Sequence, residues 1–352
     1  MANIIKQVRM VFDLNKCLGC QACTMACKTI WTDRNEGQMY QYWNNVETRP
    51  GRGYPKNWET LGGGFSGGKV DLGGDVHVGD FPKIEEDYGA PWQYNYDEVL
   101  KTDGGDATSS LLKPSPEPNG PDAYANNWDE DVGDGDNPGN NYYFYLPRIC
   151  NHCTNPACVA ACPRQAVYKR EEDGIVLVDQ NRCRGYRYCV KGCPYKKVYF
   201  NTEEKLSQKC IFCYPRLEQD PIEQNFCFTQ CVGRIRYVGY NTNPQANVNK
   251  LVDDWKVAML LFPEFGTEPN LYYIPPMSPP ANNGEERIPI GKLADLFGDN
   301  KDQKRKARIA RIEEIFNILE TERAKVAAGG TSELIDILVA KSEADRLQLN
   351  LG

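Results

Sequence analysis

The stretch that most limits what this chain can become runs from Cys150 to Cys193. It reads Cys150-x2-Cys153-x4-Cys158-x3-Cys162-Pro163 and then, after nineteen residues, Cys183-x2-Tyr186-x2-Cys189-x3-Cys193-Pro194. Thiols this close together cannot cross-brace distant loops, so the spacing argues against a disulfide framework. Zinc sites pair two short knuckles, whereas each of these runs crowds several cysteines into one stretch. The histidines add little to a zinc reading. His77 lies far from every cysteine group, and His152 lacks the paired Cys-x-His pattern of a Rieske centre. A zinc-bound scaffold is kept as an alternative of another class; the runs themselves point to iron bound with sulfide.

The order of the spacings carries a rule. In the bacterial ferredoxin pattern, three closely spaced thiolates wrap one cluster from a loop, and a fourth, followed by proline, is carried off to the neighbouring cluster. Cys193 is therefore expected to complete the 4Fe-4S site of Cys150, Cys153 and Cys158, and Cys162 to join Cys183 and Cys189. That second group is one ligand short. Tyr186 stands where a cysteine is due, and a phenol with a pKa of about 10 is a poor substitute for a thiolate. Three thiolates suit a 3Fe-4S cluster, with Tyr186 a non-ligand at the vacant corner; the alternative is a 4Fe-4S cube whose fourth iron takes water or hydroxide.

Two further runs flank this module: Cys17-x2-Cys20-x2-Cys23-x3-Cys27 and Cys210-x2-Cys213-x13-Cys227-x3-Cys231. By the same exchange, Cys17, Cys20, Cys23 and Cys231 form one 4Fe-4S site, and Cys27, Cys210, Cys213 and Cys227 another. The pairing uses all fifteen cysteines. Gly19, between the first two ligands, suits a loop whose amides must turn toward sulfur.

The expected fold is α+β: two nested bacterial-ferredoxin-like two-cluster modules with long insertions and C-terminal helices. The outer module is split between residues 1–35 and 200–245, and the inserted module spans 145–199. Residues 36–144 form a Gly-, Asp- and aromatic-rich insertion, and 246–352 a C-terminal extension. Alternation predicts strands over 8–14, 174–181, 198–200 and 234–240, and a short helix over 22–31 that carries Cys27 away from the first site. Within the insertion, Trp58, Phe65, Phe81, Trp92, Tyr94, Tyr96, Tyr124 and Trp128 predict a lobe that covers the cluster domain and a partner subunit. Farther on, 251–262 admits a helix and 288–297 leads into a short one. Residues 303–327 carry Ile309, Ile312, Phe316 and Leu319 at helical spacing. Ser332 caps a second amphipathic helix with Leu334, Ile335, Leu338 and Val339 on one side. Either of these two helices could pack on the cluster core or on a partner.

No catalytic constellation accompanies the cysteines. The chain lacks a GxGxxG or GxxxxGK[ST] loop, a histidine base and a radical-enzyme cysteine triplet. The net charge is -7, yet nine basic residues against two acidic ones fall between Arg182 and Arg216. They offset negative clusters, and a positive field also raises cluster potentials. No nucleic-acid-binding module accompanies them. Residues 1–13 do not make a signal peptide, and the longest near-apolar stretch, Val257 to Phe262, is far short of the ~20 residues that span a bilayer. Taken alone, this reads as a chain made in the cytoplasm, with no direct membrane insertion.

With these residues in view, the chain resembles the iron-sulfur beta subunits of the dimethyl-sulfoxide-reductase family of molybdopterin oxidoreductases. The likeness is specific over residues 8–35 and 145–240. It is nearest the branch of ethylbenzene, dimethyl sulfide, selenate, chlorate and perchlorate enzymes, with ethylbenzene dehydrogenase as the leading member. The resemblance implies a non-catalytic electron-transfer subunit carrying three 4Fe-4S clusters and one 3Fe-4S cluster. The Cys17 site would lie nearest a molybdopterin alpha subunit, and the Cys162, Cys183 and Cys189 site nearest a haem b gamma subunit. It further implies co-export, already folded, to the periplasm on the alpha subunit's twin-arginine signal, with the cytoplasm as the alternative. A freestanding polyferredoxin-type carrier is the rival function.

Overall fold

The computed structural model describes residues 4–74, 76–88, 142–218, 225–277, 288–299 and 301–342. Its organising strand is Val8–Asp13, held between two partners. Arg236–Tyr240 pairs with it antiparallel, Val8 opposite Tyr240 and Phe12 opposite Arg236. Leu271–Ile274 pairs with it parallel, Met10 opposite Leu271 and Asp13 opposite Ile274. Met259–Leu260 completes the sheet beyond Leu271–Ile274.

Side chains alternate across a strand, and this one feeds a different core from each face. Val8, Met10 and Phe12 enter the large core that also contains Cys23, Cys158, Cys189, Cys193 and Cys227. Val11 enters a second core built with Tyr237, Leu251, Ile274 and the C-terminal helices. The sheet thus separates the cysteine-bearing side from a helical backing layer. It also brings residues 8–13 and 236–240, the two halves expected of the outer module, side by side.

Four small antiparallel pairs complete the scaffold among the described residues: Phe65–Ser66 with Lys69–Val70, Val167–Lys169 with Val176–Val178, Val198–Asn201 with Leu206–Lys209, and Asn45–Arg49 with Phe144–Arg148. The last closes the insertion at its base. Within it, Trp58 and Phe81 join the large core, while Tyr40, Tyr42, Trp43, Tyr54 and Tyr88 pack with Cys27 and Tyr199. Trp92, Tyr94, Tyr96, Tyr124 and Trp128, on which much of the lobe reading rests, lie outside the described residues.

The helix Asp302–Ala327 packs on the protein's own core. Ile312, Ile315 and Leu319 are fully buried, and Ile309 and Phe316 are partly so; Ile315 belongs to a face that the sequence pattern had centred one residue away. Burying each such side chain is worth about 1.5–3 kcal/mol. The helix Glu333–Leu338 is capped by Ser332, whose Oγ accepts from Ile335 N at 3.3 Å. Leu334, Ile335 and Leu338 are buried as expected, whereas Val339 is exposed because the helix has already ended there.

The admitted helix over 251–262 is corrected. A π-helical turn spans Lys250–Asp254, Lys256 takes φ +52°, and the chain then extends into Met259–Leu260. The left-handed Lys256 ends the helical path, and pairing with Leu271–Ile274 satisfies the backbone that a longer helix would have satisfied internally.

Candidate cluster-binding sites

Each cysteine run folds as a tight loop followed by a short helix. Gly19 takes φ +65° and Gln21 φ +57° before the helix Ala22–Cys27, which carries both Cys23 and Cys27. Arg187 (φ +63°) precedes Tyr188–Gly192, and Cys213 (φ +49°) precedes Tyr214–Leu217, in the same way. Left-handed turns aim backbone amides inward. The Sγ atoms of Cys150, Cys162, Cys183 and Cys210 accept from the N–H groups of His152 (3.5 Å), Ala166 (3.3 Å), Ser207 (3.5 Å) and Phe212 (3.4 Å). Such donors favour the thiolate over the thiol.

The runs come together across long sequence separations. Cys27, Cys210, Cys213 and Cys227 line one cavity of about 340 Å³, walled by Trp31, Trp43 and Phe212. Cys162, Cys183 and Cys189 line another of about 290 Å³, with Ser207 Oγ 3.4 Å from Cys189 Sγ. Tyr186 lines the same cavity and is 54 % exposed. Cys17 feels the charges of Cys23 and Cys231, and Cys20 is exposed on the same loop. Cys158 feels those of Cys193, Cys150 and Cys153.

The donor set is electrostatically incomplete without cations. Burial pushes the thiols of Cys17, Cys189 and Cys210 up to about 12, and neighbouring cysteines add to the rise. Iron would relieve that repulsion. Among the described residues no three His, Cys, Asp or Glu side chains converge closely enough to hold a single metal ion. Thiols of different runs arranged around shared cavities suit a polynuclear cluster, and the residues present fit iron-sulfur groups.

Several charged residues that the cysteine pattern left unread lie between the groups. Arg236 Nη2 donates to Cys23 Sγ at 3.0 Å. Lys209 is buried, donates to Val176 O and Cys210 O, and is acted on by Cys150, Cys210 and Cys158. Glu47, fully buried, receives Arg49 at 2.7 Å and Arg148 at 3.1 Å. Of the basic residues between Arg182 and Arg216, Lys196, Lys197 and Lys209 are interior while Arg182, Arg184 and Lys205 are exposed. No periodicity or spacing signals Glu47 or Arg236; strand pairing sets Arg236 beside Cys23 and Glu47 beside Arg148.

A small α+β scaffold that gathers fifteen cysteines in this way defines an iron-sulfur electron-transfer protein. Residues 141–241 match the family model of a 4Fe-4S dicluster domain. The chain is 50 % identical to the dimethylsulfide dehydrogenase subunit beta of Rhodovulum sulfidophilum, over 98 % of this chain and 99 % of the relative. It is 50 % identical to the selenate reductase subunit beta of Thauera selenatis, over 97 % and 98 %. With the respiratory nitrate reductase subunit beta of Haloferax mediterranei it shares 49 % identity over 98 % and 94 %. The chain belongs to the iron-sulfur beta subunits of the dimethyl-sulfoxide-reductase family of molybdoenzymes, and like them it is a non-catalytic, electron-transferring member of an oxidoreductase complex. No described helix is long and apolar enough to cross a membrane.

Proposed function

We propose that this subunit holds three 4Fe-4S clusters and one 3Fe-4S cluster in a line between a molybdopterin alpha subunit and a haem b gamma subunit. The ligand sets are Cys17, Cys20, Cys23 and Cys231; Cys27, Cys210, Cys213 and Cys227; Cys150, Cys153, Cys158 and Cys193; and Cys162, Cys183 and Cys189. The observation that carries the reading is the cavity shared by Cys27 of the first run with Cys210, Cys213 and Cys227 of the fourth. When bound, such clusters accept and donate single electrons with little atomic rearrangement. The thiolates fix them, backbone amides offset negative charge at the sulfurs, and the aromatic walls keep water out.

The two ends of the line differ. Around Cys17 and Cys231 the rim is apolar, with Leu18 63 % and Val232 55 % exposed, which suits a permanent contact with the catalytic subunit. Around Tyr186 the rim carries exposed Arg164 and Arg184, on the side we assign to the haem-bearing partner. The order of the inner sites rests on Cys27 neighbouring Cys210, which in turn feels Cys150.

Relatives of nearly equal similarity are named for dimethyl sulfide, selenate and nitrate, and none of these three for ethylbenzene. They support the wider branch more than the ethylbenzene dehydrogenase reading, and we leave the substrate to the alpha subunit. Periplasmic residence after co-export with that subunit goes with this assignment. Purifying the native complex anaerobically and measuring its metals tests it: about fifteen irons per chain, with stoichiometric molybdenum and haem b, are expected. About sixteen irons would exclude the trinuclear cluster, and zinc in place of iron would overturn the reading.

A further inference from the structure

Arg236 enters the sheet opposite Phe12, and its side chain is completely buried. Its Nη2 donates to Cys23 Sγ at 3.0 Å and to Asn44 Oδ1 at 2.8 Å. The guanidinium lies 4.4 Å from the centre of the Phe12 ring and 5.8 Å from that of Phe228, so its faces are packed and it cannot swing away. Its Nε and Nη1 are buried and have no hydrogen-bond partner among the described residues. A buried cation with two unpaired donors is expensive unless something negative lies beside it. The negative groups beside Arg236 are thiols. Burial opposes its charge, but Cys23, Cys227, Cys231 and Cys17 outweigh burial and hold it above the usual guanidinium range.

Those four cysteines do not belong to one site. Cys17, Cys23 and Cys231 belong to the first ligand set and Cys227 to the second, and Phe228, against which the guanidinium packs, directly follows Cys227. A residue that only braced the Cys23 loop would need its one N–H bond and no charge shared with Cys227.

We propose that Arg236 is a positioning residue for electron transfer: a fixed cation shared by the first two cluster sites, which favours reduction at both and shifts the two together. The proposal rests on the ligand assignment above. It involves no bond making, only one electron passing from one site to the other, supplied and removed by the partner subunits. A shared cation lowers the energy of the electron on either side of it, so the balance of the transfer between them is little changed. Tuning one site alone would instead alter it.

The test uses the whole complex, purified with the variants R236Q and R236K, and potentiometric titration followed by electron paramagnetic resonance. R236Q keeps a donor for Cys23 and removes the charge; R236K keeps the charge and loses the planar fork. With R236Q, reduction of both sites is expected to become at least tenfold less favourable, about 59 mV for one electron. With R236K both should remain within threefold of the wild type. Unchanged potentials in R236Q, or a shift confined to one site, would overturn the proposal. Should R236Q fail to load clusters while R236K loads them at near-native potentials, the requirement for charge is supported. If both fail to load, Arg236 serves packing and the proposal falls. Wild-type complex without iron-sulfur signals would instead refute the ligand assignment itself, so the two failures are separable.

Discussion

Trp31 Nε1 donates to Cys213 Sγ at 3.2 Å, joining a residue just past the first cysteine run to the fourth run across 182 positions. Burial raises the Cys213 thiol, and the backbone N–H of Phe226 together with this indole pulls it back toward the thiolate. The same bond stabilises negative charge at the second site. Trp31→Phe keeps most of the wall and removes the donor, so that site should become harder to reduce by up to tenfold, about 59 mV, with iron content unchanged. Titration by electron paramagnetic resonance measures this; an upward shift would contradict the account.

Gly19 tests the loop geometry. It sits at φ +65°, and an added Cβ would lie 2.6 Å from the Tyr145 ring. Gly19→Ala should cost about 1–2 kcal/mol for the left-handed backbone, plus the displacement of the ring. The loss should fall first on the Cys17 site, seen as lower iron occupancy with the other sites retained. Full occupancy in the variant would show that the loop is freer than its conformation implies.

The interior ion network predicts both a stability loss and a pH dependence. Burial alone would raise the Glu47 carboxyl, but Arg148, Arg49 and Lys197 outweigh it and bring it to about 2. An unfolded glutamate titrates at about 4.3. Because the folded pKa is the lower one, Glu47's contribution is fully present above about 4.3 and is lost as pH falls through about 2. Glu47→Gln leaves Arg148 buried without its carboxylate, while Arg49 keeps Glu59 at 2.6 Å; breaking a buried pair in this way costs about 3–5 kcal/mol. Unfolding at neutral pH should show that loss, and the part of the acid transition due to Glu47 should vanish in the variant. Equal stability of the two proteins at neutral pH would rule the network out as a support.

Tyr186 tests the composition proposed for the last site. Tyr186→Cys restores a thiolate to the rim of the cavity lined by Cys162, Cys183 and Cys189. The variant should bind a cube there, lose the near-isotropic resonance of an oxidised 3Fe-4S cluster, and gain about one iron per chain. Retention of that resonance at full intensity in assembled variant would mean that position 186 does not face the missing corner.

The cysteine spacings made much of this legible, because ligand order within a run is a local property. The strands at 8–13 and 236–240 could be read for the same reason: Val8, Met10 and Phe12 repeat with the pleat. What stayed hidden depends on pairing between remote segments. Arg236 looks like an ordinary strand arginine until Phe12 is set opposite it. Glu47 and Arg148 look like surface charges until Asn45–Arg49 pairs with Phe144–Arg148. The stretch 251–262 misled because its apolar content suits either a helix or an edge strand, and the choice lies with Leu271–Ile274.

The register of Val8–Asp13 also bears on how the subunit is made. This strand is made well before its neighbours, Arg236–Tyr240 and Leu271–Ile274. During synthesis Cys17, Cys20, Cys23 and Cys27 therefore travel on an unpartnered nascent segment, exposed to oxidants and stray metals, while the strand that anchors them has no sheet to join. On the proposed ligand sets, iron loading of the two sites of those cysteines cannot be completed before Cys227 and Cys231 have been made.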